Sequence, residues 1–427
     1  MKTEARIQST IELINEILST PSVPADSLIS TYFKNRRFIG GGDRRFITEF
    51  TYQIIRHYPK LQWFWPNLTG RKAILTYLRI NAKETPTQIA ALFTGEKFCP
   101  DPLTEGEQKY LASLTHTLKL PPWVELCVPE WIFPYFERLF GDYSHKELSA
   151  LNEQAPLDLR VNTLKSTRDV VLKQLTAEGL DPKPTTLSPL GIRFSKRILF
   201  PTHPLWQDGT LEVQDEGSQL IALLCNAKPG MAILDYCAGA GGKSLVLAET
   251  MKNKGRLVLS DIHGWRLKRA KERLKRAGIH NHEVRHIEDE RDWFKGQENR
   301  FDCVLVDAPC SGTGTWRRNP DMKIRFKEKD LKELIVKQQE ILNAASKFVR
   351  PGGFLIYATC SLLREENHQQ INQFIEQKPI FSLVPIQEVW QNSIIDCPCP
   401  TTDSMLQLTP ASHQTDGFFV AVLKRGA

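Results

Sequence analysis

The chain has 427 residues, 41% of them hydrophobic, and a formal net charge of +7. A chain of this length can bury sizeable cores in roughly two or three domains, and its positive charge favours a polyanionic partner such as a nucleic acid. No stretch approaches the ~20 apolar residues of a membrane span, and the first residues contain no apolar signal core. The nine cysteines lack the paired spacing of a disulfide framework. Secretion and membrane insertion are therefore not expected, and the predicted location is the cytoplasm.

Residues 1–145 are predicted to form an all-helical domain, because apolar residues recur there at helical spacing, beginning with Ile7, Ile11 and Ile14. A basic, glycine-rich turn interrupts this pattern and has aromatic residues beside it. One interpretation is a contact with RNA, since phosphates attract Lys and Arg and bases stack on aromatic rings. The other is a solvated turn whose aromatic side chains lie in the core, and both stay open. The turn comprises Tyr32, Phe33, Lys34, Arg36, Arg37, Phe38, Gly40, Gly41, Gly42, Arg44 and Arg45.

Residues 146–211 contain short strand-like pieces separated by proline-rich turns and one helical stretch, which indicates a small α+β module. Residues 212–427 alternate strands and helices, so we expect an α/β fold with a mostly parallel, doubly wound sheet covered on both faces. The predicted strands end at Asp235, Asp261 and Asp307 and near Cys360, and the final strand covers 418–423. The carboxyl ends of parallel strands share one edge, where open α/β folds bind ligands, so these residues should converge on one site.

A glycine-rich turn, Asp235-Tyr236-Cys237-Ala238-Gly239-Ala240-Gly241-Gly242-Lys243, follows the first strand of this sheet. Its glycines let the backbone approach a ligand and adopt positive φ, and the helix that follows offers unpaired amides. A dinucleotide fingerprint would require glycine at Ser244, and a P-loop would require glycine at Cys237, so the turn favours a nucleoside ligand without a pyrophosphate. Asp261, about 20 residues further on, is expected to bind ribose hydroxyls, with a helix cap as the alternative.

Cys310 and Cys360 each follow a predicted strand in a polar turn, Asp307-Ala308-Pro309-Cys310 and Ala358-Thr359-Cys360-Ser361. A free cysteine is most often a small buried hydrophobe, which is the alternative for either one alone. Two cysteines at the same sheet edge, beside a cofactor turn, indicate covalent catalysis by a thiolate. The cysteines expected to be structural are Cys99, Cys127, Cys225, Cys303, Cys397 and Cys399. Cys397-Pro398-Cys399 lacks the further ligands of a zinc site, so no metal is expected.

These motifs resemble those of the RsmB/NOP (Sun/Fmu-type) family of RNA cytosine-5 methyltransferases, and most closely the bacterial members that methylate 16S ribosomal RNA. The resemblance rests on the glycine turn, on the turns that carry the two cysteines, and on 159–165 and 213–215 upstream. It implies a class I methyltransferase-type sheet over 212–427 with an antiparallel last strand, an RRM-like module over 146–211 and a NusB-like RNA-binding domain over 1–145. The family turn usually reads Cys-Ala-Ala-Pro-Gly-Gly-Lys, and here Gly239-Ala240 takes the place of Ala-Pro.

The resemblance implies that S-adenosylmethionine donates a methyl group to carbon 5 of an RNA cytosine. It makes Cys360 the nucleophile that adds to carbon 6, and Cys310 the residue that assists release of the product. Carbon 5 is otherwise a poor nucleophile, which is why the ring must be activated. Asp307 is expected to hold the base, and Lys243 to stabilise the thiolate or bind the base edge, with a solvent-facing lysine as the alternative. The expected cofactor-binding residues are Cys237, Ala238, Gly239, Ala240, Gly241, Gly242, Lys243, Asp261, Asp289 and Asp307, with Glu288 as the alternative to Asp289 at the adenine.

RNA contact is expected in the segment after Cys310, because Trp316, Arg317 and Arg318 offer an aromatic ring and two guanidinium groups. The basic helix over 265–276 is interpreted mostly as a solvated outer face. The target cytosine must be unstacked before a thiol can reach it, so a looped or single-stranded site is expected. The competing functions are DNA cytosine methylation, amino-group methylation and a noncatalytic RNA-binding factor. We expect a monomer whose partner is ribosomal RNA.

Overall fold

The computed structural model describes residues 1–114, 119–195, 198, 200 and 202–427. The chain divides into two compact units. The first, called the helical unit below, comprises Met1–Glu153 and Trp316–Glu328, and the second, called the sheet unit, comprises Gln154–Thr315 and Lys329–Ala427. The sequence predicts the segment 316–328 within the domain at 212–427, whereas the structure groups it with the N-terminal helices. The predicted domain limits at 145 and 211 stay predictions.

Regular structure is entirely helical in the described residues before Leu157, and strands and helices alternate after it. The α-helices are α1 (Thr3–Ser19), α2 (Ala25–Asn35), α3 (Gly41–Arg56), α4 (Tyr58–Phe64), α5 (Gly70–Ile80), α6 (Pro86–Ala90), α7 (Glu105–Ser113), α8 (Pro122–Glu125), α9 (Phe133–Phe140), α10 (Ser144–Ala150), α11 (Arg168–Ala177), α12 (Pro204–Gln207), α13 (Glu216–Leu223), α14 (Gly242–Thr250), α15 (Gly264–Ala277), α16 (Arg291–Lys295), α17 (Met322–Arg325), α18 (Glu328–Ser346), α19 (His368–Gln377), α20 (Ile386–Ser393) and α21 (Pro410–His413). The β-strands are β1 (Leu157–Val161), β2 (Lys183–Pro184), β3 (Gly191–Phe194), β4 (Leu211–Val213), β5 (Ala232–Asp235), β6 (Arg256–Asp261), β7 (His282–His286), β8 (Phe301–Asp307), β9 (Val349–Thr359), β10 (Phe381–Val384), β11 (Leu406–Leu408) and β12 (Phe418–Arg425).

The helical unit is held together by one apolar core. On α1, Ile7, Ile11, Ile14 and Ile17 recur every three or four residues and are all buried. Such a stripe covers one face of a helix, and its burial removes apolar surface from water, the main favourable term in folding. The same core takes in residues of α2, α3 and α5. The predicted helical character of this region is confirmed.

The basic turn between α2 and α3 has two of its aromatic side chains buried and one exposed. Tyr32 and Phe33 are buried in the core, as the structural interpretation requires. Phe38, in contrast, is 80% exposed. Arg36 lies over the ring of Tyr32, 3.8 Å from its centroid. An RNA contact at this turn stays a prediction, and Phe38 is the aromatic ring free to make it.

A four-stranded antiparallel sheet, in the order β2-β3-β1-β4, forms the first part of the sheet unit. Its core includes Leu159, Ile192 and Leu211, together with apolar residues of α11. On β1 the buried carboxylate of Asp158 accepts two bonds of 2.7 Å from the guanidinium of Arg193 on β3. This paired arrangement compensates the burial of the charge and fixes the two strands side by side. The predicted α+β module is therefore present.

The large sheet has the order β10-β12-β9-β8-β5-β6-β7, with β11 paired to β12. The neighbouring strands β9, β8, β5, β6 and β7 run parallel, and β12 is antiparallel to β9. Adjacent side chains alternate between two buried layers, as Ile233 and Leu234 of β5 show. These features confirm the doubly wound, mostly parallel sheet with an antiparallel last strand. The carboxyl ends of β5, β6, β8 and β9 consequently lie at one edge.

Candidate active site

A cavity of about 500 Å³ opens at the carboxyl edge of the large sheet. Residues that follow β5, β6, β8 and β9 line it, which is the convergence expected from the strand ends. Its volume suits a nucleoside-sized ligand. The predicted site residues that line the cavity are Cys237, Ala238, Gly239, Ala240, Gly242, Lys243, Asp261, Asp307, Cys310 and Cys360. The lining also includes Asp235, a predicted strand end to which no role was assigned, and residues that the sequence did not single out, among them Ile262, Arg266, Ile287 and Lys337.

The glycine turn adopts a backbone conformation that other residues disfavour. Gly239 and Gly241 have φ of 55° and 76°, in the left-handed region that glycine enters freely. Gly241 does not line the cavity but is the N-cap of α14 and lies against α15, where an added Cβ would be 3.1 Å from that of Ala270. The carbonyl of Ala240 accepts a 2.7 Å bond from Arg273 of α15. Arg273 therefore braces the turn at the position where the family turn has proline.

Asp261 ends β6 and is 5% exposed. Its Oδ2 accepts a bond of 2.9 Å from the N–H of Gly239, and its Oδ1 accepts one of 2.8 Å from the N–H of His263. The carboxylate thus holds the glycine turn and His263, and because His263 is the N-cap of α15, Asp261 itself is not the cap. Asp261 also lines the cavity, and each oxygen keeps a further lone pair, so the ribose contact stays a prediction.

Asp235 lies at the sheet edge where the strand ends were predicted to converge, but the sequence assigned it no role. Its Oδ2 accepts a bond of 2.5 Å from the hydroxyl of Ser244, while its buried Oδ1 has no partner among the described residues. Burial, offset in part by the Ser244 bond and assisted by repulsion from Asp307, raises the pKa of Asp235 to about 7. Its position as the last residue of β5 was the available signal. An unpartnered buried acceptor on a cavity wall suits a ligand donor.

Cys310 and Cys360 meet on the wall of the cavity, with their sulfur atoms 3.4 Å apart. They follow β8 and β9, which are neighbouring parallel strands. A 3.0 Å backbone bond from the N–H of Gly314 to the carbonyl of Cys360 joins the two turns, 308–314 and 360–363, called the cysteine turns below. The hydrogen bond with Cys360, burial and repulsion between the sulfurs raise the pKa of Cys310 well above its ordinary value. Cys310 therefore stays a neutral thiol beside Cys360.

Lys243 and Asp307 form an ion pair at the same wall, with Nζ and Oδ2 2.5 Å apart. Lys243 is 8% exposed, so the alternative of a solvent-facing lysine is wrong. Burial by itself would lower the pKa of Lys243, but attraction and hydrogen bonding by Asp307, with smaller contributions from Cys360 and Asp235, outweigh it and raise the pKa. The site thus contains a charged ammonium whose field reaches the Cys360 sulfur.

A buried polar network lies behind the two cysteines, and the sequence reasoning missed it. Its centre is Glu366, which has no exposed surface and accepts hydrogen bonds from Ser311, Ser361 and Gln338. Burial raises the pKa of Glu366, and these bonds oppose the rise. The only signal in the sequence was an acidic residue six positions after Cys360, in a stretch that reads as a surface turn.

The predicted adenine contact is not brought into the cavity. The side chain of Asp289 is 78% exposed, and its Oδ2 lies 2.9 Å from Nδ1 of His286. Glu288, the alternative, is also exposed. The residue of this loop that does line the cavity is Ile287. A role for Asp289 in adenine binding stays a prediction.

The predicted RNA-contact residues after Cys310 belong to the helical unit. Trp316 is 1% exposed and packs edge-on against Phe136, with the ring centroids 5.6 Å apart. Its ring is used in the core, so the prediction that it stacks on a base is wrong. Arg317 is 7% exposed, and its carbonyl accepts a 3.0 Å bond from Arg56. Arg318 is half-buried, and RNA contact by the two arginines stays a prediction.

Other features of the chain bear on ligand classes. Among the described residues, no group of His, Cys, Asp and Glu side chains is arranged to hold a metal ion. In that same part of the chain, no helix has both the length and the apolar character needed to cross a membrane. Cys397, the first residue of the Cys-Pro-Cys stretch, donates a weak hydrogen bond to the carbonyl of Thr186.

The fold and the site together define a methyltransferase of the doubly wound type. A parallel sheet with a glycine turn after its first strand, an acid after the second and an antiparallel last strand binds its ligand at the carboxyl edge. The structure of a methyltransferase homolog protein from Pyrococcus horikoshii is similar, with a TM-score of 0.60 and 26% identity over 71% of this chain and 97% of that one.

The family follows from comparison of the sequences. The model of 16S rRNA methyltransferase RsmB/F matches residues 222–424, and the model of the ferredoxin-like domain of RsmF/B-like methyltransferases matches 128–199. The ribosomal RNA small subunit methyltransferase B of Photorhabdus laumondii is 30% identical over 100% of both chains. The probable ribosomal RNA small subunit methyltransferase B of Bacillus subtilis is 35% identical over 70% of this chain and 67% of that one. This chain belongs to the RsmB/F methyltransferase family.

Proposed function

We propose that this protein transfers a methyl group from S-adenosylmethionine to carbon 5 of a cytosine in 16S ribosomal RNA, through a transient bond between Cys360 and the base. The observation that carries the proposal is the 3.4 Å separation of two sulfurs on the wall of a cavity that also holds the glycine turn. Activation of an electron-poor ring carbon needs a nucleophile, and product release needs a second group. The relatives named as small-subunit ribosomal RNA methyltransferases support the choice of RNA.

The part of the cavity lined by the glycine turn, Asp235 and Asp261, called the glycine side below, fits S-adenosylmethionine. No atom lies within 4 Å of a Cβ built on Gly239, so a ligand can approach the backbone closely. The unpartnered Oδ1 of Asp235 suits an ammonium group, and Asp261 offers carboxylate oxygens to ribose hydroxyls. Ile262 and Ile287 add apolar surface to the same cavity. The cofactor supplies an electrophilic methyl group, and these residues hold and orient it.

Lys243 interacts electrostatically with the Cys360 sulfur. The Cys360 sulfur contributes to the raised pKa of Lys243. Electrostatic attraction is mutual, so the ammonium stabilises a negative charge on that sulfur. Cys310 stays a thiol and can donate a hydrogen bond across the 3.4 Å gap. Cys310 therefore retains its proton next to the sulfur of Cys360.

The covalent step begins when the Cys360 thiolate forms a carbon–sulfur bond at carbon 6 of the cytosine. The ring electrons shift so that carbon 5 becomes enamine-like and would take up the methyl group, while the sulfur–methyl bond of the sulfonium breaks and its electron pair stays on the sulfur of the departing thioether. Carbon 5 then carries both a methyl group and a proton. Loss of that proton to a proton acceptor returns the electrons to the ring and expels the Cys360 thiolate. Cys310, next to that sulfur, is the group placed to assist the release.

Asp307 is the candidate for holding the base. One carboxylate oxygen is paired with Lys243, and the other has no hydrogen-bond partner within the described residues. A protonated ring nitrogen or the exocyclic amino group of cytosine can donate to that oxygen. The interaction strengthens as the ring takes up charge from the thiolate, which is the requirement for catalysis rather than mere binding.

The test is to incubate the protein with methyl-labelled S-adenosylmethionine and 16S ribosomal RNA, both free and in small-subunit particles. Mass spectrometry should locate the label in 5-methylcytosine, and DNA of the same sequence should stay unlabelled. Label on an amino nitrogen, or no label under any presentation of the RNA, would overturn the proposal. Cys99→Ala, at a half-buried cysteine of the helical unit, is the control for loss of a thiol and should keep full activity.

A further inference from the structure

The two cysteine turns share one buried carboxylate. Ser311 directly follows Cys310, and Ser361 directly follows Cys360. Both serine hydroxyls donate to the same oxygen of Glu366, Oε2, with Ser311 at 2.5 Å. Glu366 has no exposed surface. The Oε2 atom of Glu366 therefore forms hydrogen bonds with both cysteine turns.

The other oxygen of Glu366 fixes the backbone around Cys310. Oε1 accepts a 2.8 Å bond from the N–H of Ser311 and a 2.9 Å bond from the amide of Gln338. Gln338 donates as well to the carbonyl of Pro309, at 3.0 Å. The residues immediately before and after Cys310 are thus both held from the same point. Such a network restricts where the Cys310 sulfur can go.

Glu366 forms no ion pair with Lys or Arg in the part of the chain that the structure describes. A carboxyl buried in this way is costly unless hydrogen bonds compensate it, and apolar residues of similar volume often fill such places at less cost. All four of its bonds go to the cysteine turns or to Gln338. The arrangement indicates a role in geometry.

We propose that Glu366 is a positioning residue that sets the separation of the Cys310 and Cys360 sulfurs, and thereby the balance between forming the RNA adduct and releasing it. Glu366 does not line the cavity, so it acts through Ser311 and Ser361 and not on the base. The catalytic consequence rests on the proposed function. The positional consequence concerns the protein alone and can be measured without RNA.

Three variants separate the possibilities. Glu366→Gln keeps an acceptor oxygen for the N–H of Ser311 and the amide of Gln338. It replaces the oxygen that accepts from the Ser311 and Ser361 hydroxyls with an NH₂ group, and these hydroxyls can rotate to accept from it. Glu366→Ala removes both acceptors. Glu376→Gln removes a carboxylate from the exposed part of α19 and is the matched control. Circular dichroism gives the folded fraction of each, and rates are compared per folded molecule.

The first readout is the rate at which dibromobimane, a reagent that bridges two neighbouring thiols, links Cys310 to Cys360, with the link mapped by peptide mass spectrometry. Loss of the shared acceptors should slow this rate about tenfold in Glu366→Ala and about threefold in Glu366→Gln, with no change in Glu376→Gln. If Glu366→Ala does not fold, the Glu366→Gln rate decides. Equal rates in the wild type and the folded Glu366 variants would overturn the inference.

The second readout is the amount of covalent protein–RNA adduct in the presence of donor and RNA. Glu366→Gln should accumulate about threefold more adduct than the wild type, because attack by Cys360 persists while release is slowed. A loss of turnover in proportion to lost folded protein, without extra adduct, would show a merely structural residue and overturn the inference. Cys310→Ala is the reference variant for adduct formation. Absence of adduct in Cys310→Ala would contradict the proposed function. The dibromobimane rates would still test whether Glu366 sets the position of the sulfurs.

Discussion

The two sides of the cavity are each supported by a buried carboxyl group, and the two groups are bonded very differently. Asp235, under the glycine turn, accepts one side-chain hydrogen bond and keeps an oxygen without a partner among the described residues. Glu366, behind the cysteine turns, accepts four hydrogen bonds. The cysteine side is therefore complete before any ligand arrives, whereas the glycine side keeps an acceptor for a ligand to satisfy. We therefore propose that the cysteine side carries out the chemistry and that the glycine side binds the cofactor.

The cysteine side is broken most completely by Cys360→Ala. Methyl transfer should fall by roughly 10³-fold or more, because the ring is not activated without the nucleophile. The cofactor dissociation constant should stay within about twofold, since the glycine side is untouched. Labelled-methyl transfer and calorimetric titration measure the two quantities. Transfer at a rate close to that of Cys99→Ala would remove Cys360 from the mechanism.

Asp235 gives the glycine side a pH dependence. Its pKa rises from the ordinary 3.8 to about 7 on folding, so the folded protein retains a proton that the unfolded chain gives up. The associated stability is fully present below about pH 4 and is lost as the pH rises to about 7, by at most about 4 kcal/mol. Asp235→Asn has no such proton, so its unfolding free energy should rise relative to wild type across that interval. Urea unfolding at several pH values measures the difference, and a pH-independent difference would contradict the assignment.

Gly241→Ala tests whether the glycine side depends on backbone conformation. Alanine at a φ of 76° costs about 1–2 kcal/mol, and its Cβ would also crowd Ala270 of α15. The cofactor dissociation constant should rise about tenfold, measured by calorimetric titration. Gly179→Ala is the matched control, because Gly179 has a φ of 80° with no atom within 4 Å of an added Cβ. Gly179→Ala should lose comparable stability and bind the cofactor normally. Equal cofactor dissociation constants in the two variants would contradict the claim that cofactor binding depends on the backbone conformation of the glycine turn.

Arg273→Met should produce the smallest change. It removes the 2.7 Å bond to the carbonyl of Ala240 and should raise the cofactor dissociation constant about threefold. Arg276→Met is the control, because Arg273 and Arg276 both pair with Glu212 but only Arg273 is bonded to the turn. The same dissociation constant in both variants, from one titration protocol, would show that the brace on Ala240 is immaterial.

The elements that could be predicted from sequence are those fixed by local pattern and by topology. Strand alternation predicts a parallel sheet, and polar residues at the strand ends then meet at one edge, as the cavity at Asp261, Asp307 and Cys360 shows. The glycine turn is recognisable because positive φ needs glycine at particular positions. These rules depend on neighbours along the chain and on nothing further away.

The parts that could not be predicted depend on contacts between distant segments. Glu366 is bonded to Ser311, 55 positions away, and nothing in its own stretch distinguishes it from a surface acid. Trp316 follows the Cys310 turn and is aromatic beside arginines, yet it is buried with the N-terminal helices. Local composition does not reveal which unit a segment joins, and this is why the predicted base stacking by Trp316 was wrong.

The most direct test of the central claim is the adduct formed by Cys310→Ala with unlabelled donor and 16S ribosomal RNA. Denaturing electrophoresis should show a protein–RNA band that resists heating, and peptide mapping should place the cytosine on Cys360. The double variant Cys310→Ala with Cys360→Ala should form no band. A band mapped to another residue, or an adduct that persists in the double variant, would contradict the account.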